Sequence, residues 1–192
     1  HDEIFGDITA PNADLDDQVL INLGRLGGEK NLDELLNLFA EARQENKNLK
    51  FLIVGDGPAR EELERRAQKL GIGDYVIFTG MVPPSEVQNY YQLGDVFVSA
   101  STSETQGLTY IEAAANGLPL LCRQDECLND VLQEGKNGYE YTSAEEFLDA
   151  IDHVMHDPQW RDEASKRSEE IASTFDKKSF GDAIENVYES VL

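Results

Sequence analysis

Short apolar runs alternate along this chain with segments of helical period, and that alternation limits its folds more than any other feature. Val19–Leu23, Leu49–Val54, Tyr75–Thr79, Asp95–Ala100 and Leu118–Cys122 are mostly apolar and carry no polar residue at every second place. A strand with one face in water alternates; a strand buried on both faces does not. The segments between them read as helices. Leu32, Leu35, Leu36, Phe39 and Ala42 share one face of a helix over about 31–46. Pro58 opens a second, which stops at Gly71-Ile72-Gly73. Ser85-x-x-Gln88 and Ser143-x-x-Glu146 have the spacing of capping boxes, for helices running to Leu93 and to about His156. A short helix is expected near Leu128–Glu134, and Asp157-Pro158 breaks the chain before two more, over about 159–174 and 177–192. With a short last strand in Asn137–Tyr141, the expectation is an α/β, Rossmann-like parallel sheet of about six strands. Helices cover both faces, and further helices close the C-terminus.

In such folds ligands bind beyond the C-terminal ends of the strands. Four loops fall at that edge: Gly24–Asn31, Gly55–Pro58, Gly80–Pro84 and Glu104–Gly107. The first is glycine-rich and carries Arg25 and Lys30, which could meet one diphosphate from the two ends of the turn. Its glycines match neither the dinucleotide fingerprint nor a P-loop, so a plain strand-to-helix reversal remains open beside the anion reading. The last loop leads into a helix in which Leu108, Ile111, Ala115 and Leu118 fall at helical spacing. A helix start offers unpaired N–H groups and a positive dipole end, which suit phosphate or sugar oxygens. Gly107 there would let a ligand approach the backbone. Glu104 and Glu112, eight apart, flank that start, and carboxylates accept hydrogen bonds from neighbouring hydroxyls. Phosphate and sugar together are what this loop invites.

Composition narrows the function. The 192 residues carry a formal net charge of −22, which argues against a nucleic-acid partner and against a polybasic membrane anchor in this segment. In so acidic a chain the few cations at the strand ends become informative. No apolar run approaches the ~18 residues of a membrane span, and nothing at the start reads as a signal peptide. Cys122 and Cys127 read as reduced thiols of a cytoplasmic protein. His153 and His156 read as a surface pair rather than metal ligands. Residues 1–17 look like a linker from something upstream, 18–174 like the Rossmann-like domain, and 175–192 like a terminal helix.

Gly24-Arg25-Leu26 with Glu29-Lys30-Asn31, Val54-Gly55-Asp56-Gly57-Pro58, Phe78-Thr79-Gly80, and Glu104…Glu112 with Gly117-Leu118-Pro119 occur in this order. Together they resemble the C-terminal, nucleotide-sugar-binding domain of the retaining, GT-B-fold glycosyltransferases of family four, the group one glycosyltransferases. The resemblance implies that Arg25 and Lys30 bind the donor diphosphate and offset charge on the leaving nucleotide. It implies that the backbone at Gly107, Leu108 and Thr109 holds phosphate oxygens and part of the sugar, with Gly24 also among the donor-binding residues. Glu104 would take hexose hydroxyls, Glu112 ribose hydroxyls, and the Met81-Val82 backbone the base. Arg25, Lys30 and Glu104 are the expected catalytic residues; no metal or other cofactor is expected. The implied reaction moves a hexose from a nucleoside diphosphate sugar, UDP-glucose or similar, to a lipid or glycan acceptor. The loop around Ser103–Tyr110 looks most like bacterial enzymes that glycosylate diacylglycerol, which would put the full-length protein in the cytoplasm or at the inner face of the membrane. Such enzymes have an N-terminal domain that residues 1–17 cannot build. The chain is therefore expected to be inactive alone, with the last helix (Phe180, Ile184, Val187, Leu192) packing on the missing half. Two other readings are a non-catalytic nucleotide-sugar-binding or regulatory module, and a sugar-nucleotide epimerase of the same architecture.

Overall fold

The computed structural model describes residues 17–101 and 107–175. Among them six strands form one parallel sheet: β1 (Gln18–Leu23), β2 (Leu49–Val54), β3 (Val76–Phe78), β4 (Val96–Ser99), β5 (Leu120–Arg123) and β6 (Gly138–Tyr141). Their order is β3-β2-β1-β4-β5-β6. The helices are α1 (Leu32–Glu45), α2 (Arg60–Lys69), α3 (Val87–Tyr91), α4 (Leu108–Ala115), α5 (Ala144–His156) and α6 (Pro158–Ala172). This is the doubly covered parallel sheet that the apolar runs require.

The lack of polar alternation has its reason in the core. Strand residues point alternately to two separate hydrophobic layers. Leu20, Phe51, Ile53, Val96, Val98 and Leu121 pack with α1, α2 and α5 on one face. Val19, Ile21, Leu52, Val54, Phe97 and Leu120 pack with α3, α4 and residues of the β5–β6 loop on the other. Each face needs apolar side chains, so both sets of alternate positions are apolar. The expected face of α1 is the buried one: Leu32, Leu35, Leu36, Phe39 and Ala42 are at most 4% exposed.

The capping box at Ser143 forms. Its Oγ accepts the Glu146 N–H at 3.2 Å, and Glu146 Oε2 accepts the N–H groups of Ser143 and Thr142. Backbone and side-chain donation from Thr142 holds the Glu146 carboxyl below its ordinary pKa. This contribution is present above the ordinary carboxylate pKa and is lost as pH falls through the lowered one. Ser143→Ala is expected to lower stability by about 1 kcal/mol, read as a shifted urea midpoint with an unchanged slope. An unmoved midpoint would contradict the cap's role.

Several local expectations are corrected. The expected helix near Leu128–Glu134 is a 3-10 turn, Glu126–Leu128, followed by a loop. The Gln133 N–H bonds the Asn137 side chain at 2.7 Å instead of a helical carbonyl. Ser85 forms no cap: Pro84–Glu86 is itself a 3-10 turn, placing Ser85 inside the turn rather than ahead of the helix. The fifth strand begins at Leu120, two residues later than expected. Helix α4 is not one-sided. Thr109, Tyr110, Ile111, Glu112, Ala113 and Ala114 are all buried, while Ala115, expected on the inner face, is exposed. Wedged between sheet and α6, the helix has little solvent face, so its period misleads. The linker (all but Asp17) and the terminal helix 177–192 lie outside the described residues.

Candidate functional site

The chain steps outward from β1 to β2 and β3, then returns to lay β4 on the other side of β1. The crevice of an open α/β sheet lies at such a reversal, beyond the strands' C-terminal ends. Here the two strands also part. β1 pairs with β2 along its whole length, but with β4 only at Leu20 and Ile21. The next residue, Asn22, is 6% exposed and bonds the Val98 carbonyl through its side-chain amide at 2.8 Å. A side chain replaces the backbone ladder just where the crevice opens.

On the β1 side of the crevice lies the cation-bearing turn. Gly28–Lys30 is a 3-10 turn, closed by Asn31 in the left-handed conformation (φ 51°). Lys30 is half-buried and its Cε lies 3.8 Å from where a Cβ on Gly24 would stand, so its stem lies over the strand end. Arg25 is exposed. The turn is braced from behind. The Asn31 side-chain amide donates to Glu34 Oε2 at 2.7 Å, and Arg123 Nη1, at the end of β5, donates to Glu34 Oε1 at 2.5 Å. Glu34 thus ties the turn after β1 to a strand two places across the sheet.

The neighbouring turns lock onto this one through backbone contacts. The Leu26 N–H donates to the Asp56 carbonyl at 2.9 Å, and the Ala59 N–H to the Leu26 carbonyl at 3.0 Å. Gly55 has φ 126°, and a Cβ there would stand 2.1 Å from the Gly24 carbonyl oxygen. Gly55 also bridges Gly80, whose successors are Met81, 53% exposed, and Val82, buried among the apolar residues of the α3 and α4 face. Gly57 is held in the same way, a Cβ there standing 2.5 Å from the Leu26 carbonyl oxygen, so backbone packing accounts for both glycines of the second motif.

On the β4 side lies the start of α4. Gly107 is its N-cap (φ 61°), and among the described residues no side chain caps the helix start. The first N–H groups to bond back to the Gly107 carbonyl are those of Tyr110 and Ile111, at 3.1 and 3.2 Å. Leu108 and Thr109 therefore hold the N–H positions for which a helix supplies no acceptor. A Cβ on Gly107 would stand 3.1 Å from the Cys127 carbonyl oxygen and 3.2 Å from Cys127 Cβ. That side of the glycine, expected to admit a ligand, faces the loop after β5. A ligand would approach along the N–H direction instead. One turn on, Glu112 is 7% exposed and accepts from the fully buried Tyr91 hydroxyl at 3.1 Å. Glu104 lies outside the described residues.

Gly24, Arg25 and Lys30 thus follow β1, while Gly107, Leu108, Thr109 and Glu112 follow the neighbouring β4 across the gap, and Met81 and Val82 follow β3, two strands from β1. From the β3 loop to the β4 loop is about 14 Å at ordinary strand spacing, a reach suited to an elongated ligand with a phosphate near its middle. Sequence reading overlooked Asn22, Glu34, Tyr91 and Arg123. Asn31-x-x-Glu34 has capping-box spacing and Asn22 is polar inside an apolar run, so both left a trace; Tyr91 and Arg123 left none.

Other features sit elsewhere. His153 packs its ring against Tyr139 and Trp160, at 5.8 and 5.3 Å between centroids, while His156 turns to Asp152. A hollow of about 570 Å³ beside β3 is lined by Glu61, Glu64, Arg65 and Gln68, and another of about 370 Å³ lies between α1 and α5. Neither includes a residue of the crevice. Among the described residues no group of three His, Cys, Asp or Glu is placed to hold a metal ion, and no helix is long and apolar enough to cross a membrane.

Comparison with known proteins supplies the context. The family described as "Glycosyl transferases group 1" matches residues 7–171. An alpha-monoglucosyldiacylglycerol synthase of Acholeplasma laidlawii is 34% identical over 173 residues, which is 90% of this chain and 44% of that protein. One of Streptococcus pneumoniae is 42% identical over 135 residues, 70% of this chain and 31% of that protein. Among solved structures, the pneumococcal O-GlcNAc transferase GtfA in complex with UDP and GlcNAc superposes with a TM-score of 0.76 at 27% identity. That match covers 90% of this chain and 35% of GtfA. The chain spans less than half the length of these relatives.

Proposed function

The chain belongs to the group 1 glycosyl transferases, and from that premise we propose that it is the donor-binding domain of a retaining hexosyltransferase. It takes a nucleoside diphosphate sugar, UDP-glucose or similar, and serves transfer to a lipid or glycan acceptor bound by the rest of the protein. The observation that carries this reading is the pairing, at one switch point, of a cation-bearing turn with a helix start whose N-cap is a glycine. Positive charge from Arg25, Lys30 and the α4 dipole meets the charge that grows on the departing diphosphate, a stabilisation largest in the transition state. No metal ion is needed in this scheme, and transfer should persist in EDTA. Met81 and Val82 offer the base a backbone edge, Glu112 takes the ribose, and Glu104 the hexose.

The relatives named for diacylglycerol support a lipid acceptor. With a net charge of −22 this segment would be repelled by an anionic bilayer, so any peripheral attachment belongs to the remainder of the protein. Alone the chain binds donor and transfers nothing.

Calorimetric titration of the full-length protein with UDP, GDP, ADP and UDP-glucose tests this. UDP and UDP-glucose are expected to bind, and Arg25→Ala to weaken both. Binding of none of the four would overturn the proposal; preference for GDP or ADP would correct the base.

A further inference from the structure

We infer that Tyr91 is a positioning residue for the nucleotide: its hydroxyl sets the orientation of the Glu112 carboxylate that grips the donor's ribose. The inference rests on the assignment of Glu112 to the ribose made above.

Tyr91 is 0% exposed, so it cannot itself touch a ligand. It ends α3, and its ring packs on Phe97 of β4 at 6.3 Å, which in turn meets Tyr110 of α4 at 6.3 Å. The hydroxyl is thus fixed to the same strand and helix that carry the crevice. It donates to Glu112 Oε2 at 3.1 Å, a buried bond between residues 21 apart in sequence. The backbone under Glu112 is held as well, since the Asn116 side-chain amide bonds its carbonyl at 2.9 Å.

A carboxylate on an otherwise aliphatic stem rotates about its last bond through a broad, shallow profile. A ribose diol asks for the opposite, an acceptor whose plane stands still while two hydroxyls donate to it. One donor fixed at Oε2 removes that freedom before the nucleotide arrives. It also gives a hydrogen-bond partner to a polar group only 7% exposed, where an unpartnered oxygen would be costly. The arrangement is one of preorganisation: Glu112 meets the ribose, and Tyr91 determines how.

The test compares UDP with 2′,3′-dideoxy-UDP on the full-length protein, by calorimetry, in wild type, Tyr91→Phe and Glu112→Gln. Tyr91→Phe keeps the ring and its packing and deletes only the donor. It is expected to weaken UDP about five- to tenfold and to leave dideoxy-UDP unchanged, so the preference for the ribose hydroxyls shrinks. In steady-state transfer the same loss should appear in the donor KM, with kcat little altered. Equal weakening of both nucleotides would mean a merely structural role and overturn the inference, as would no weakening of either. The two levels separate cleanly. If Glu112→Gln loses the ribose preference while Tyr91→Phe keeps it, only the role of Tyr91 falls. If Glu112→Gln keeps it too, the ribose assignment falls and the inference with it.

Discussion

Lys30→Ala in the full-length protein is expected to lower kcat/KM for the sugar donor by about 10²–10³-fold, the usual cost of removing one group aimed at developing charge. Lys30 is the better placed of the two cations. It is half-buried with its stem across Gly24, where the lower effective dielectric strengthens its field. Arg25 is exposed, and a charge in water is weaker, so Arg25→Ala should cost less. The loss should fall on kcat as well as KM, because charge on the diphosphate grows as the bond to the sugar breaks. Lys30→Arg should rescue only in part, since a planar, delocalised guanidinium does not reproduce the compact point charge of an ammonium. Donor kinetics within threefold of wild type in both alanine variants would remove this turn from the site.

The largest effect on stability is expected at Gly55. Gly55→Ala demands a positive φ of 126° from an L-residue and drives a Cβ to 2.1 Å from the Gly24 carbonyl oxygen. Strain and overpacking of this kind each cost about 1–3 kcal/mol, together a large part of a domain's ~5–15 kcal/mol. Gly71→Ala is the matched control. Its φ is 72°, but nothing lies within 4 Å of the new Cβ, so only the backbone term of about 1 kcal/mol should appear. Urea unfolding of both variants reads the difference. Equal midpoints would mean that the turns after β1 and β2 yield easily and do not lock one another. Because the clash is with Gly24, the smaller fraction of Gly55→Ala that stays folded should also bind donor poorly.

Much of this was legible along the chain, and particular residues show where legibility stopped. The face of α1 could be read because a helix packed on one side leaves a one-sided pattern, and Leu32, Leu35, Leu36 and Phe39 keep it. The face of α4 could not, because a helix buried nearly all round has no pattern to keep. The Ser143 cap was readable since both partners sit within four residues, whereas Ser85 has the same spacing and makes no cap, being inside a turn begun by Pro84. Gly107 suggested open space for a ligand, but Cys127, twenty residues away, fills that side.

The sequence by itself determined the class of fold, the order of its main elements and the edge to which its glycine-rich loops project. Those follow from local rules: burial on both faces makes strands apolar throughout, and every crossover of a parallel sheet returns the chain to the same edge. Only the tertiary structure decided which loops meet. That β1 lies between β2 and β4, that Asn22 carries the parting of β1 from β4, that Glu34 ties Asn31 to Arg123, and that Tyr91 reaches Glu112 are consequences of strand order and helix packing. Each joins residues whose separation in sequence bears no relation to their separation in space. Hydrogen bonds and carboxylate orientation depend on the second separation, and local patterns report only the first.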